Sequence, residues 1–320
     1  MKVIVFAIIS FILLTASFKW NVVNGARDEF FNDFQMDSEA LAVGRMHLSQ
    51  QEGPFSHSGF AGLVLPDGDE REGMKKYYWQ YPAYIHELSY TGYEEYFSQP
   101  AIQTFIYYCI VKPFGIKGQA TLNLLYLFCS AFISAVMVLF LLWVIRIWGM
   151  PVAIAVMVAI LFSQWITVFG RNLYWILGGF YIPFIISLWF FESKSGRSLH
   201  WYAIFLALYV PMVIKCLLNG FEYISCILVM AMVPFVFYGI YHKWGWGLGL
   251  EAIASGSGTA SSGGYITIDP TCDEPSRWLD EKHRILEYSY RFECQPGSNN
   301  SCFTTICDFW DDFFDFLDYL

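Results

Sequence analysis

The sequence predicts an all-α fold: a polytopic transmembrane bundle of about six spans, with a helical extracytoplasmic loop after the first. Three observations predict it. Of 320 residues, 56% are hydrophobic and only 15% charged, whereas ordinary soluble domains carry about 25% charged residues. The apolar residues are gathered into runs, most of them near the ~20 residues that a membrane helix needs. The runs are joined by short segments, except for one long stretch at 19–118.

Val3–Phe18 is the first run and is short. It reads as an uncleaved anchor: Lys2 alone precedes it, the small-residue site after it is weak, and the chain returns to the membrane. Thr121–Ile145, Pro151–Phe169, Leu173–Phe191, Trp201–Leu218 and Tyr223–Tyr241 follow. Pro151 stands at a helix start, where its missing N–H costs nothing. Pro183, Pro211 and Pro234 lie inside runs, which membrane helices tolerate. Trp143, Trp148, Trp175, Trp201 and Trp244 mark interface belts. The domain organisation is then an anchor at 1–18, an extracytoplasmic loop at 19–118, a bundle of five spans at 119–243, a Gly/Ser-rich linker at 244–264 and an acidic tail at 265–320.

Basic residues orient the bundle. With the N-terminus inside, the inner loops collect Lys2, Arg146, Lys194, Arg197 and Lys243, and the short outer loops hold only Arg171 and Lys215. The positive-inside rule then places the N-terminus in the cytoplasm of a plasma (inner) membrane, with 19–118 outside and the tail inside.

The net charge of −9 is the tail's: residues 251–320 hold 13 acids and four bases. An acidic chain lacks the basic face that nucleic acid requires. Ser255–Gly264 reads as a flexible linker, and the acidic–aromatic ending DFWDDFFDFLDYL is of a kind that binds a protein partner. Cys109, Cys129, Cys216 and Cys226 lie in or near apolar runs and are expected to pack as small hydrophobes. The spacings of Cys272, Cys294, Cys302 and Cys307 make no CxxC pair, which leaves little basis for a zinc site. Asn299-Asn300-Ser301 matches a glycosylation sequon. Walker, GxGxxG and GxSxG motifs are absent, so nucleotide hydrolysis and triad chemistry have no support.

Chemistry therefore has to be sought in the long loop. Its segment 77–97 holds seven Tyr, one Trp and one Phe, a composition that lies along an interface or lines a ligand groove. It opens with RDEFFNDFQMDSEALAVGRMHLSQ, residues 27–50. Asp37-Ser38 is placed to cap a helix through Ala40–Gln50 on which Leu41 and Leu48 share a face. Asp37 and Glu39 then sit at the helix start near the membrane surface. Acids there offset the helix dipole; equally, a carboxylate beside a phosphate-bearing lipid serves as a base or a metal ligand.

The order of these features resembles the N-terminal half of the GT-C membrane glycosyltransferases. An acidic loop motif (FNDFQMDSEALAVGR) follows one span, and a Gly-rich amphipathic segment (GPFSHSGFAGLVLP) follows the motif. An aromatic segment ending YFSQPAIQTFIYY leads into the packed spans. GRNLYWILGGFYIPFI and KCLLNGFEYIS look like segments of bacterial members from surface-polysaccharide settings. The resemblance covers about residues 1–243. Such enzymes usually have more spans and a longer C-terminal region, so a truncated or inactive member is one reading.

The resemblance implies sugar transfer from a polyprenyl-phosphate donor to an extracytoplasmic acceptor, a polysaccharide or a lipid. Asp37 and Glu39 are then the catalytic carboxylates, or the ligands of a divalent metal ion, with Asp33 a distant third. Arg45, Arg171 and Lys215 would hold the donor phosphate. If Lys215 pairs with Glu222, both are structural. The competing classes are a transporter component and a non-catalytic membrane scaffold.

Overall fold

A computed structural model describes residues 2–64, 78–97, 99–193, 199–241 and 265–266, all within one compact unit, Met1–Asp269. The Gly/Ser linker, the acidic tail beyond residue 266 with its four cysteines and the sequon lie outside the described residues, as do Lys194, Arg197, Lys243 and Trp244.

The described chain is mostly helical. Helices α1 (Lys2–Trp20), α2 (Asp28–Asp33) and α3 (Met36–Glu52) come first, then strand β1 (Phe60–Val64), α4 (Gln80–His86), strand β2 (Gly92–Tyr96) and α5 (Ile102–Val111). A 3-10 turn, Lys112–Phe114, leads on to α6 (Gln119–Trp148), α7 (Met150–Leu161) and α8 (Gln164–Phe169). Helices α9 (Leu177–Ser193), α10 (Trp201–Asn219) and α11 (Ile224–Tyr241) follow, and a second, two-residue antiparallel pairing joins Leu199–His200 to Tyr265–Ile266. Helices α1, α6 and α11 are long and apolar enough to cross a membrane by length and composition; α7, α9 and the Ala203–Asn219 part of α10 are apolar but shorter.

Helix α6 is the spine. Its 30 residues run about 45 Å at ~1.5 Å per residue, longer than a hydrocarbon core of ~30 Å. Two apolar clusters share it. Ile133, Met137, Leu141 and Val144 pack with Leu14 and Phe18 of α1 and with Leu188 and Phe191 of α9. Nearer its N-terminus, Leu122, Leu125 and Cys129 pack with Ala42, Val43 and Met46 of α3, with Phe60 and with Leu173–Ile176. The second cluster seats a cap, built of α3 to α5 with β1 and β2, on one end of the bundle, and Phe31 of α2 packs separately on Val168 of α8.

Burial on α1 runs opposite to that of a soluble helix. Val3, Ile4, Ile8, Ile9 and Ile12 are exposed, while Ser10, Thr15 and Ser17 are buried. On α6, Ser130 and Ser134 are buried too, with Ser134 Oγ donating to the Ser130 carbonyl at 2.7 Å. Small residues inside and apolar residues outside are how helices pack in lipid, where the outward face needs no polar groups.

Three expectations are corrected. The all-α reading misses an antiparallel ribbon, in which β1 pairs with β2 from Phe60↔Tyr96 to Val64↔Gly92. The Gln80 side chain bonds to β1: Oε1 accepts from Leu63 N at 3.1 Å and Nε2 donates to the Leu63 carbonyl at 3.2 Å. A side-chain amide here does the work of a strand, which no hydrophobic pattern announces. The run Pro151–Phe169 is two helices. Ser163 breaks it by capping α8, its Oγ accepting from Ile166 N at 3.5 Å. The run from Leu173 turns helical only at Leu177, because Asn172 Oδ1 takes the N–H groups of Tyr174 (2.9 Å) and Trp175 (2.8 Å). Pro183, Pro211 and Pro234 stay within their helices, as expected.

Candidate functional site

Helix α3 carries the predicted acids, and it begins differently from expectation. Gln35 occupies the cap position in a left-handed conformation, with no side-chain cap bond. Asp37 and Glu39 therefore both lie in the first turn, where acids favour the dipole. Two residues apart on a helix, they point to opposite sides.

Glu39 points inward and is buried. Its Oε1 accepts from the hydroxyls of Tyr126 (2.7 Å) and Tyr81 (2.9 Å), and its Oε2 accepts from the Leu173 N–H at 3.0 Å. One carboxylate thus ties α3 to α4, to α6 and to the segment before α9. Burial raises the Glu39 pKa above the usual carboxylate range, opposed by the Tyr126, Leu173 and Tyr81 hydrogen bonds and by the charge of Arg171. Burial and the Glu39 charge hold the Tyr81 phenol well above its ordinary value, so it stays a donor.

Asp37 is half-buried, and no described residue donates to its carboxylate. Asp33 is exposed at the end of α2 and lines an open cleft of about 520 Å³ with Arg27, Phe30, Phe34, Gln35 and Trp165.

The three predicted cations have different fates. Arg45 is buried, and its Nη2 donates to the carbonyls of Pro54 (3.1 Å) and His57, fastening the loop after α3. Burial lowers its pKa. Lys215 is fully buried with its ammonium on the carbonyls of Gly220 and Glu222 at the end of α10, 5.3 Å over the Phe180 ring. The expected pairing with Glu222 is thus made through that residue's main chain. Arg171 is half-buried. It donates from Nη2 to the Phe31 carbonyl at 2.9 Å and lies over the rings of Phe31 (4.1 Å) and Tyr126 (5.4 Å). Its charge reaches Glu39, yet among the described residues it enters no ion pair.

Sequence reasoning missed Tyr81, Tyr126 and Lys19. Lys19 donates to the Asn123 carbonyl, one turn of α6 before Tyr126, and lies near enough to Arg171 for the two charges to repel. A tyrosine and an asparagine inside an otherwise apolar run were the only signals for this face of α6. Glu39, Arg171 and Lys19 thus converge where cap meets bundle, with Asp37 free in the same helical turn as Glu39. Arg45 and Lys215 are engaged elsewhere. Among the described residues, no group of three or more His, Cys, Asp and Glu side chains is placed to hold a metal ion. No protein family, curated protein or solved structure matches this chain.

Proposed function

We propose that the chain is an integral membrane protein of GT-C type that transfers a sugar from a polyprenyl-phosphate donor to an extracytoplasmic acceptor. The observation that carries this reading is a guanidinium, Arg171, at the same end of the bundle as a carboxylate, Asp37, neither of which enters an ion pair among the described residues. In this reading the cap end is outside, the N-terminus is cytoplasmic, and the apolar helices make six spans of the plasma membrane. Arg171, with Lys19 beside it, takes the donor phosphate, and membrane lipid surrounds the carrier. Asp37 accepts the proton of the acceptor hydroxyl, which attacks the sugar's anomeric carbon as the bond to phosphate breaks. Glu39 is a positioning residue: its carboxylate fixes Leu173, two residues from Arg171, and its charge offsets the guanidinium.

Burial of Glu39 also favours a second reading, a non-catalytic membrane scaffold in which that residue only fastens the cap. Turnover of a polyprenyl-phosphate sugar, measured on the full chain in lipid nanodiscs, separates the two. Asp37→Asn should lower kcat by about 10²–10⁴-fold, the usual contribution of a general base. Glu39→Gln should mainly raise the donor KM, through Arg171. Equal turnover in wild type and Asp37→Asn removes Asp37 from the chemistry. No turnover by wild type with any such donor favours the scaffold.

A further inference from the structure

A second cleft lies further along α3. Its void of about 390 Å³ is bounded by α3, α4, the end of α5 and the turn leading into α6. That is within the range of small-ligand pockets, about 300–1,000 Å³. Met46 and Gln50 in its wall are seven and eleven residues beyond Glu39, close to whole turns, so they share that residue's face of the helix. The cleft begins about 10 Å along the axis from Glu39.

The lining is mixed in a particular way. Tyr108, half-buried, supplies ring surface, and Gln50 and Gln51 supply exposed carboxamides that both donate and accept. Lys117 is engaged by Glu87 at 2.6 Å. Lys112 lies 5.2 Å over the Tyr108 ring and is exposed, which leaves it as the cation available to a ligand. His47 is buried, with Nε2 2.7 Å from the Leu88 carbonyl. A carbonyl only accepts, so Nε2 carries the proton and Nδ1 is a bare acceptor. Nδ1 has no partner and is enclosed.

We propose that this cleft binds a saccharide bearing a carboxylate, the acidic sugar of the acceptor. One aromatic ring, Tyr108, for a face of a pyranose, the Gln50 and Gln51 carboxamides for its hydroxyls, and one uncommitted ammonium, Lys112, for its carboxylate stand in the wall. The assignment of the sugar as acceptor rests on the glycosyl-transfer reading above; the binding itself does not.

The test is titration calorimetry on the full chain in nanodiscs, with a uronic-acid oligosaccharide, a neutral oligosaccharide of equal length and inorganic phosphate. The uronic-acid chain should bind more tightly than the neutral one. Lys112→Gln should erase most of that preference, weakening uronate binding about tenfold, as expected for a lost charge-assisted hydrogen bond. Gln50→Ala should weaken both saccharides alike. Both positions are exposed, so folding should be retained, and an unchanged thermal midpoint checks it. The proposal is overturned if neither saccharide binds, if both variants bind as wild type does, or if phosphate alone binds through Lys112. Saccharide binding without turnover leaves this inference standing and removes the enzymatic one. Turnover without saccharide binding does the reverse.

Discussion

The two ends of α6 each hold a buried glutamate, and they hold it differently. Near the C-terminal end, Glu192 of α9 is paired directly with Arg146, and its other oxygen accepts from the Tyr238 hydroxyl, which accepts in turn from Trp143 Nε1 at 2.7 Å. The Arg146 side chain is 63% exposed. At the cap end, Glu39 is satisfied by two tyrosines and a main-chain N–H. Its nearby cation, Arg171, leans on aromatic rings and one carbonyl instead. Tyr126 and Arg146 lie about 30 Å apart along α6, the thickness of a hydrocarbon core. One end thus spends its arginine on its glutamate, and the other satisfies its glutamate with neutral donors and leaves its arginine with unused capacity. A closed ion pair is what a structural tie needs, whereas an anion site needs an open cation.

Truncation should separate the two ends most. Glu39→Ala strands one buried donor, the Leu173 N–H, and two half-buried tyrosine hydroxyls, at about 1–3 kcal/mol each, so a loss on the order of 3–5 kcal/mol is expected in detergent unfolding. Glu192→Ala should cost less, about 1–3 kcal/mol, because the exposed Arg146 is rehydrated and only the buried Tyr238 hydroxyl loses its acceptor. Similar losses at the two sites would erase the distinction. A smaller effect comes from Gly44, where a Cβ would lie 2.3 Å from the Ala61 carbonyl and 2.6 Å from Gln80 Oε1. Gly44→Ala should therefore cost about 1–3 kcal/mol through overpacking of α3 against β1; a neutral result would mean that the cap is looser than described.

Burial raises the Glu39 pKa in the folded chain. The stability associated with its protonated form is complete below the unfolded-state pKa and is lost as pH rises through the folded one. Unfolding midpoints should therefore fall over a window that opens at the ordinary carboxylate range and extends upward. Glu39→Gln should remove that slope, and an identical pH profile in wild type and variant would contradict it. Tyr126→Phe is the gentlest probe, expected to cost about 1–2 kcal/mol for one lost bond to a carboxylate and to shift the Glu39 window further upward.

Much of the helix order was legible because the apolar residues fall in long runs ended by glycine, proline and charge. Gly149, with φ +86, ends α6, and Pro151 stands in the first turn of α7. The breaks at Ser163 and Asn172 were not legible, since each depends on one side chain satisfying nearby main-chain N–H groups inside an apolar run. Around the candidate site, helix α3 and the place of Asp37 and Glu39 at its start could be read. The partners of Glu39 come from Tyr81, Tyr126 and Leu173, far apart in sequence, and no spacing rule joins them. Arg45 and Lys215 looked equivalent to Arg171 because a sequence does not say which carbonyls a cation will meet.

The claim that Arg171 is the open cation is tested most directly by the donor KM, measured with a polyprenyl-phosphate sugar in nanodiscs for Arg171→Ala and Arg146→Ala. Arg171→Ala should raise KM about tenfold or more, as expected when a charge-assisted contact to phosphate is lost. Arg146→Ala should leave KM within about twofold of wild type, its guanidinium being committed to Glu192. An unchanged KM in Arg171→Ala, or an equal rise in both variants, would contradict the account.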